Sequence, residues 1–208
     1  MRLDGKGRPV KLKKHLRRLK ASAVTLGFVL PPVRKKMVEL IRAEGIIYPV
    51  GGVARVVLEP SGGVTISGRP MAKPKKVLKV RLVEERLDRL DRLLQHKTTR
   101  RDLFNNALEA AKKDGFDEVL FLNNLDRVTE GAIRAILVRL ADGWYAPPLA
   151  DGLLPSLWRQ RSMKRLQAKE KSLTVEELTH ALEIRMGNSV QGTAQVGELV
   201  DGTGKIFN

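Results

Sequence analysis

Short apolar segments, bounded by glycine, proline or charged residues, alternate with a helical pattern along much of this 208-residue chain. Residues 77–83, 118–122 and 128–138 are predicted to be strands, and residues 102–113 carry the apolar spacing of an amphipathic helix. Strands and helices in this order must bury their apolar faces in a shared core. The sequence therefore predicts a mixed α and β fold, without an internal repeat.

The first part of the chain is predicted to be a small α/β layer. A helix is expected over residues 11–26, and a second helix begins after Pro31-Pro32 and stops at Gly45. Residues 53–58 and 64–67 flank a glycine-containing turn, which predicts a hairpin. Together with the strand at 77–83, these elements predict a small domain over residues 1–90 and a larger one over 91–208.

Two details of the second part concern helix starts. Thr99 and Asp102 form a weak capping-box pattern before the helix at 102–113, and Thr174 with Glu177 forms a stronger one further along. Helices are also expected over residues 153–166 and 174–181.

The composition excludes several kinds of site. The chain has no cysteine and three histidines, which excludes a disulfide framework, a thiolate zinc site and a cysteine nucleophile, and argues against a multi-histidine metal site. It contains no apolar run of the length that spans a membrane and no signal-peptide core. A cytoplasmic protein without metal or membrane partner is predicted.

Positive charge is concentrated in the first half. Residues 1–100 hold 25 Lys and Arg against 8 Asp and Glu, whereas the remainder holds 14 against 15. Such a half could attract anionic substrates or nucleic acid, or it could be a solubilising surface. Phe28 and Tyr48 are the only aromatic residues there, which argues against nucleic acid as a partner.

Two residues stand out chemically. Lys97 lies among His96, Arg100 and Arg101 at a predicted strand-to-helix junction. Neighbouring cations disfavour a charged amine, and a neutral amine forms Schiff bases with carbonyl groups. Glu130 is a carboxylate among apolar strand positions. Each has a simpler interpretation, a solvated basic helix start for Lys97 and a surface strand residue for Glu130, and the residues alone leave the choice open.

The order of longer motifs resembles a known family. The strings HKTTRRDLFNNALEAAKKDGFDEVLFLNNLDRVTEG, DGWYAPPLADGLLPSLWRQ and MGNSV follow one another as in fold-type IV pyridoxal-phosphate enzymes of the class IV aminotransferase family, and HLRRLKASAVTLGF is similar to that family's first helix. The H-K-T-T-R-R form most resembles 4-amino-4-deoxychorismate lyase. The resemblance implies an α+β, D-amino-acid-aminotransferase-like two-domain fold, with a larger barrel-like C-terminal domain of mixed sheet and helices.

The resemblance also implies a reaction and a cofactor, pyridoxal 5'-phosphate. Lys97 would form the Schiff base with the cofactor and move protons at the substrate carbon, while Glu130 would keep the pyridine nitrogen protonated. The reaction would convert 4-amino-4-deoxychorismate, a small anionic molecule, to 4-aminobenzoate and pyruvate for folate synthesis. The family also implies a homodimer.

A phosphate site is implied by further matches. Arg18 would bind the cofactor phosphate through its guanidinium, and Ser189 through its hydroxyl. The backbone amides of Leu157 and Trp158 would contribute the N-terminus of a helix to the same site.

Several departures from the family pattern keep alternatives open. The chain starts where members usually have a preceding segment, so the small domain is expected to be N-terminally shortened. Ser156 stands where the family has a glycine, and a positive φ there would strain the backbone. Asp102 stands where the family's aminotransferases have a tyrosine, which weakens, without excluding, a branched-chain or D-amino-acid aminotransferase. A catalytically decayed, basic binding protein is the third alternative.

Overall fold

The computed structural model describes residues 1–31, 51–202, 204 and 206–207. These residues divide into two compact units, Met1–Lys73 and Pro74–Asn208. The helix predicted between Pro31-Pro32 and Gly45 lies outside the described residues.

The described residues of the first unit form a small antiparallel sheet and one long helix. Its elements are β1 (Arg2–Leu3), α1 (Leu12–Thr25), β2 (Gly52–Leu58) and β3 (Val64–Pro70), with sheet order β1-β2-β3. Leu3, Ala54 and Ile66 form its buried core, against which Leu12 and Leu16 of α1 pack. Since β2 pairs with β3 from Leu58 and Val64 outwards, the predicted hairpin is confirmed.

The second unit is built on one mixed sheet. The strands are β4 (Val77–Leu87), β5 (Glu118–Asn123), β6 (Val128–Gly131), β7 (Ala135–Leu140), β8 (Gly143–Ala146), β9 (Lys169–Glu170), β10 (Glu183–Asn188), β11 (Gly192–Val200) and β12 (Ile206–Phe207). Their order is β6-β5-β4-β11-β10-β7-β8-β9, with β12 beside β11. Helices α2 (Asp102–Lys113), α3 (Leu157–Leu166) and α4 (Val175–Thr179) accompany the sheet. The predicted α+β class is confirmed.

Strand β4 belongs to the large sheet, so the units divide after Lys73 and not near residue 90. It pairs in parallel with β5 on one side and with β11 on the other. Leu78 and Val80 of β4 are completely buried in the core of this sheet. The local pattern identified the strand, but its partners lie at least 30 residues further along the chain.

The single strand predicted over residues 128–138 is wrong, because the chain reverses within it. β6 pairs with β5, whereas β7 pairs with β8 and β10. The reversal is closed by a hydrogen bond of 2.8 Å from Gly131 N to Arg134 O. A side chain at Gly131 would meet Met186 Cε and Val119 O at 2.7 Å each, so the close packing requires glycine there.

The helix starts differ between the two predicted capping boxes. α2 begins after Arg101 without any side-chain cap, so the pattern of Thr99 and Asp102 does not form a capping box. At α4, Thr174 and Glu177 form both bonds of the box, as predicted. Among the described residues, no helix is long and apolar enough to cross a membrane.

Candidate active site

Lys97 lies in a short extended segment that the chain enters from a 3₁₀ turn. Asp91 caps that turn, because its side chain accepts a hydrogen bond of 2.8 Å from Leu93 N. His96 N then donates to Leu93 O at 3.0 Å, and the backbone becomes extended at His96 before α2 begins at Asp102. The Lys97 side chain is exposed. Solvent and small molecules can therefore reach the Lys97 amine.

Glu130 lies on β6 and is only 8% exposed. One carboxylate oxygen, Oε1, accepts a hydrogen bond of 2.9 Å from Leu154 N. This contact joins β6 to the segment that leads into α3. Because the side chain points into the structure, Glu130 is not the surface strand residue that its sequence context alone allowed.

Both residues line one cavity of about 350 Å³. Arg101, Phe104 and Leu154 contribute further to its wall. A volume of this size lies at the lower end of the range of small-molecule sites. The structure therefore brings together the two residues that the sequence marked as chemically unusual.

Burial raises the pKa of Glu130 to about 7. The hydrogen bond from Leu154 N and the positive charges of Arg101 and Lys97 oppose this shift, and the Glu118 carboxylate adds to it. A carboxyl group with this pKa gains and loses its proton near neutral pH, so it can share a proton with a basic nitrogen.

Arg101 is a cavity residue that the sequence showed only as one of several neighbouring cations. Its guanidinium donates a hydrogen bond to Ala132 O and lies 5.0 Å from the centre of the Phe104 ring. Burial lowers the pKa of Arg101, and the charges of Glu130 and Glu118 oppose that change. The Arg101 guanidinium therefore acts as a counter-charge for the Glu130 carboxylate.

The four residues of the predicted phosphate site are placed as follows. Arg18 lies half-buried on α1 in the first unit. Leu157 and Trp158 form the first turn of α3, and Ser189 lies in the turn between β10 and β11. Of these, none belongs to the lining of the cavity around Lys97.

The start of α3 is linked to β11 and capped by the residue that precedes it. Trp158 Nε1 donates to Thr193 Oγ1 at 2.9 Å, which links the helix to β11. Ser156 caps the helix, and its φ of −69° is an ordinary extended value. Ser156 is therefore free of the backbone strain that a positive φ would have imposed.

Comparison with known proteins identifies the family. The sequence model of the class IV amino-transferases matches residues 1–199. The chain belongs to this family. No curated protein matches the chain.

Solved structures of similar fold include both aminotransferases and a lyase. A provisionally assigned amino-acid aminotransferase from Mesorhizobium loti is 32% identical, with a TM-score of 0.86 over 96% of this chain and 97% of that one. A provisionally assigned 4-amino-4-deoxychorismate lyase from Legionella pneumophila is 21% identical, with a TM-score of 0.84 over 100% and 82%. A hypothetical aminotransferase from Mycobacterium tuberculosis, in a form bound to pyridoxal phosphate, is 18% identical, with a TM-score of 0.81 over 100% and 81%. The last two show the shared fold alone.

Class IV aminotransferases are pyridoxal 5'-phosphate enzymes, so this is the cofactor of the present member. The residues of the cavity suit it. Lys97 provides a primary amine for an aldehyde, and Glu130 provides a buried carboxyl group for a ring nitrogen.

Proposed function

We propose that this class IV member is a lyase that converts 4-amino-4-deoxychorismate to 4-aminobenzoate and pyruvate. The observation that carries the proposal is that Lys97, Glu130 and Asp102 line the same cavity. The first two supply the chemistry common to the family. The third stands where the family's aminotransferases have a tyrosine, which favours the lyase branch.

Lys97 has two tasks in this proposal. When bound, pyridoxal 5'-phosphate supplies an electrophilic carbon for an amine and a ring that accepts electrons. Nζ of Lys97 would hold the cofactor until the substrate amine replaces it. The released amine would then take the proton from the substrate carbon that bears the amino group, while the bond to the enolpyruvyl oxygen breaks and the carbocycle becomes aromatic. Its exposed position leaves room for this exchange.

Glu130 would hold a proton at the pyridine nitrogen. Its carboxylate is fixed by Leu154 N at 2.9 Å, so it lies on a rigid strand and is oriented before the cofactor binds. Since burial raises the pKa of Glu130 to about 7, the carboxyl group and a pyridine nitrogen would compete for the proton near neutral pH. The nearby charges of Arg101 and Lys97 favour the ionised carboxylate.

The phosphate of the cofactor would need binding groups of its own, beyond the residues that line the cavity. We assign this role to the guanidinium of Arg18, the amides of Leu157 and Trp158 and the hydroxyl of Ser189. α3 has ten residues and an N-cap at Ser156, so its first turn presents amide groups and the positive end of the helix dipole. A homodimer and a small anionic substrate belong to the same proposal.

An aminotransferase is the second candidate. It is favoured by the 32% identity to the Mesorhizobium loti protein, which covers nearly the full length of both chains. The two candidates share Lys97, Glu130 and the cofactor. They differ in whether the substrate loses pyruvate or exchanges its amino group with a keto acid.

Two assays on the same purified protein separate the candidates. Protein loaded with pyridoxal 5'-phosphate is given 4-amino-4-deoxychorismate, and 4-aminobenzoate and pyruvate are measured. In parallel it is given amino acids with 2-keto acids, and amino-group transfer is measured. Lys97→Ala is the blank, and Lys112→Ala, an exposed lysine on α2, is the matched control.

The proposal expects 4-aminobenzoate and pyruvate in equal amounts and no transfer above the blank. Transfer without 4-aminobenzoate would replace the proposal by the second candidate. A protein that takes up the cofactor but performs neither reaction would be a non-catalytic member of the family.

A further inference from the structure

A hydrogen-bond network, buried around Arg134 and Glu118, connects the turn after Glu130 (residues 131–134, the Glu130 turn) to the turn that carries Ser189 (residues 188–191, the Ser189 turn). At its centre Arg134, only 6% exposed, donates from Nη1 to Glu118 Oε2 at 2.9 Å. Its other terminal nitrogen, Nη2, donates to Gln191 Oε1 at 2.7 Å. One guanidinium therefore joins a carboxylate on β5 to an amide in the β10–β11 turn.

Glu118, at one end of the network, packs against the Glu130 turn. Glu118 is completely buried, and its Oε1 accepts a hydrogen bond of 3.1 Å from Val119 N. A side chain at Gly131, the neighbour of Glu130, would approach Glu118 Cδ to 3.0 Å. The carboxylate thus packs against the backbone that follows Glu130, and any movement of one would displace the other.

At the other end of the network, Asn188 fixes the shape of the Ser189 turn. Asn188 Oδ1 accepts hydrogen bonds from Val190 N at 2.9 Å and Gln191 N at 2.8 Å, which closes the turn around Ser189. Asn188 Nδ2 donates to Ile133 O at 3.1 Å, in the turn between β6 and β7. The two turns are therefore joined twice, through Asn188 and through Arg134 with Gln191.

We propose that Arg134 and Gln191 are positioning residues that hold the Glu130 turn and the Ser189 turn at a fixed separation. The inference rests on the proposed function, in which Glu130 meets the ring nitrogen of the cofactor and Ser189 meets its phosphate. Two anchoring points bind one rigid molecule more tightly when their separation is set in advance, because less conformational entropy is lost on binding. A guanidinium suits this link because its fork donates two hydrogen bonds in a fixed geometry.

Two substitutions distinguish a positioning role of Arg134 from a simple charge pair with Glu118. A lysine at position 134 would keep the positive charge beside Glu118 but lacks the fork that also reaches Gln191. A leucine at position 191 would keep the ion pair of Arg134 and Glu118 and remove the Gln191 Oε1 acceptor, which also accepts a hydrogen bond of 3.4 Å from Asn188 Nδ2. Both changes should break the connection between Arg134 and Gln191 while keeping a positive charge beside the Glu118 carboxylate, and the bond from Asn188 Nδ2 to Ile133 O remains in both.

The test compares the binding of pyridoxal 5'-phosphate with that of pyridoxal, which lacks the phosphate. Dissociation constants are measured by absorbance titration of the cofactor-free protein, for wild type, Arg134→Lys and Gln191→Leu. Matched controls are Arg185→Lys, whose arginine pairs with Glu183 at 2.6 Å, and Gln195→Leu on β11. Melting temperatures confirm that each variant is folded.

The proposal expects both link variants to bind pyridoxal within about twofold of wild type and pyridoxal 5'-phosphate about tenfold more weakly, as for loss of one oriented hydrogen bond. Both controls should keep the wild-type ratio of the two constants. A wild-type ratio in both link variants would overturn the proposal. An equal loss for both compounds would also overturn it, since it would indicate general damage to the site.

Ser189→Ala separates this inference from the proposed function. If Ser189→Ala lowers the preference for the phosphorylated compound and the link variants do not, the phosphate assignment stands and the positioning role fails. If Ser189→Ala leaves the preference unchanged, Ser189 does not meet the phosphate, and both the assignment and the link to it fail.

Discussion

The two candidate site residues of the cavity lie in opposite environments. Lys97 is exposed in a short extended segment between a 3₁₀ turn and α2. Glu130 is 8% exposed on a strand, with a hydrogen bond from Leu154 N and a buried ion pair beneath the following turn. The amine can therefore change partners, whereas the carboxylate is held in one place.

The two environments predict different roles for the two regions. The Lys97 segment is expected to matter for chemistry and little for folding, because few native contacts depend on an exposed side chain. The strands around Glu130 must satisfy buried polar groups in order to fold, so changes there should alter stability and its dependence on pH.

Replacement of Lys97 by alanine should have the largest effect of all, a loss of activity without a loss of stability. We expect activity to fall by about 10³-fold or more, since the covalent link to the cofactor is lost. The melting temperature should remain within about 2 °C, because a surface substitution costs little. Borohydride reduction followed by mass spectrometry should find the cofactor on the wild-type protein and none on the variant. Labelling of Lys97→Ala at wild-type yield would place the reactive lysine elsewhere.

A charge in the buried strand should have the opposite consequence. Leu120 of β5 is completely buried, so Leu120→Asp should lower the free energy of unfolding by about 4 kcal/mol or more. Thr99→Asp, in the exposed part of the Lys97 segment, should change it by less than about 0.5 kcal/mol. Urea unfolding measures both. An unchanged midpoint for Leu120→Asp would contradict the burial of β5.

The pKa of Glu130 predicts a specific dependence of stability on pH. Below pH 4.5 the carboxyl group is protonated in both the folded and the unfolded chain. Between pH 4.5 and about 7 it ionises only in the unfolded chain, because burial raises the pKa of Glu130 to about 7 in the folded one. Stability of the cofactor-free protein should therefore fall as the pH rises through this range, by about 3 kcal/mol in total.

Glu130→Gln should remove this dependence and keep the bond from Leu154 N. The variant should match wild type near pH 4.5 and be more stable than wild type at pH 8. Urea unfolding at a series of pH values measures the difference, and Glu109→Gln, an exposed glutamate of α2, is the control. Parallel pH curves for wild type and Glu130→Gln would show that Glu130 ionises with an ordinary pKa.

The sequence predicted the elements that local contacts fix, and it missed those that contacts between distant residues fix. The bounds of α2 could be predicted, because an apolar stripe and the terminating Gly115 are local signals. The reversal between β6 and β7 could not be predicted. Only Gly131 in that turn is a typical turn residue, and the turn is fixed by the packing of Glu118 and Met186 and by Arg134. The place of β4 in the large sheet was missed for a similar reason, since β11 lies far along the chain.

The candidate site was predictable in part for chemical reasons. Lys97 and Glu130 could be found because the family places them in a recognisable order of motifs, and they line one cavity. The bridge from Glu118 through Arg134 to Gln191 left no such signal. Its members are separated by 16 and 57 residues in the sequence, and each alone reads as an ordinary charged or polar residue.

Arg101 connects the two regions, and its removal should have the smallest effect. It belongs to the cationic segment, but its charge lowers the pKa of Glu130 on the strand. Arg101→Met should therefore raise the pKa of Glu130 further, so that the fall in stability extends to higher pH than in wild type. At pH 8 the additional loss should be about 1 kcal/mol, including the hydrogen bond to Ala132 O. Arg100→Met, an exposed neighbour, should leave the pH curve unchanged, because the charges that act on Glu130 from this segment are those of Arg101 and Lys97. Equal curves for the two variants would mean that the segment acts on Glu130 through its total charge and not through Arg101 in particular.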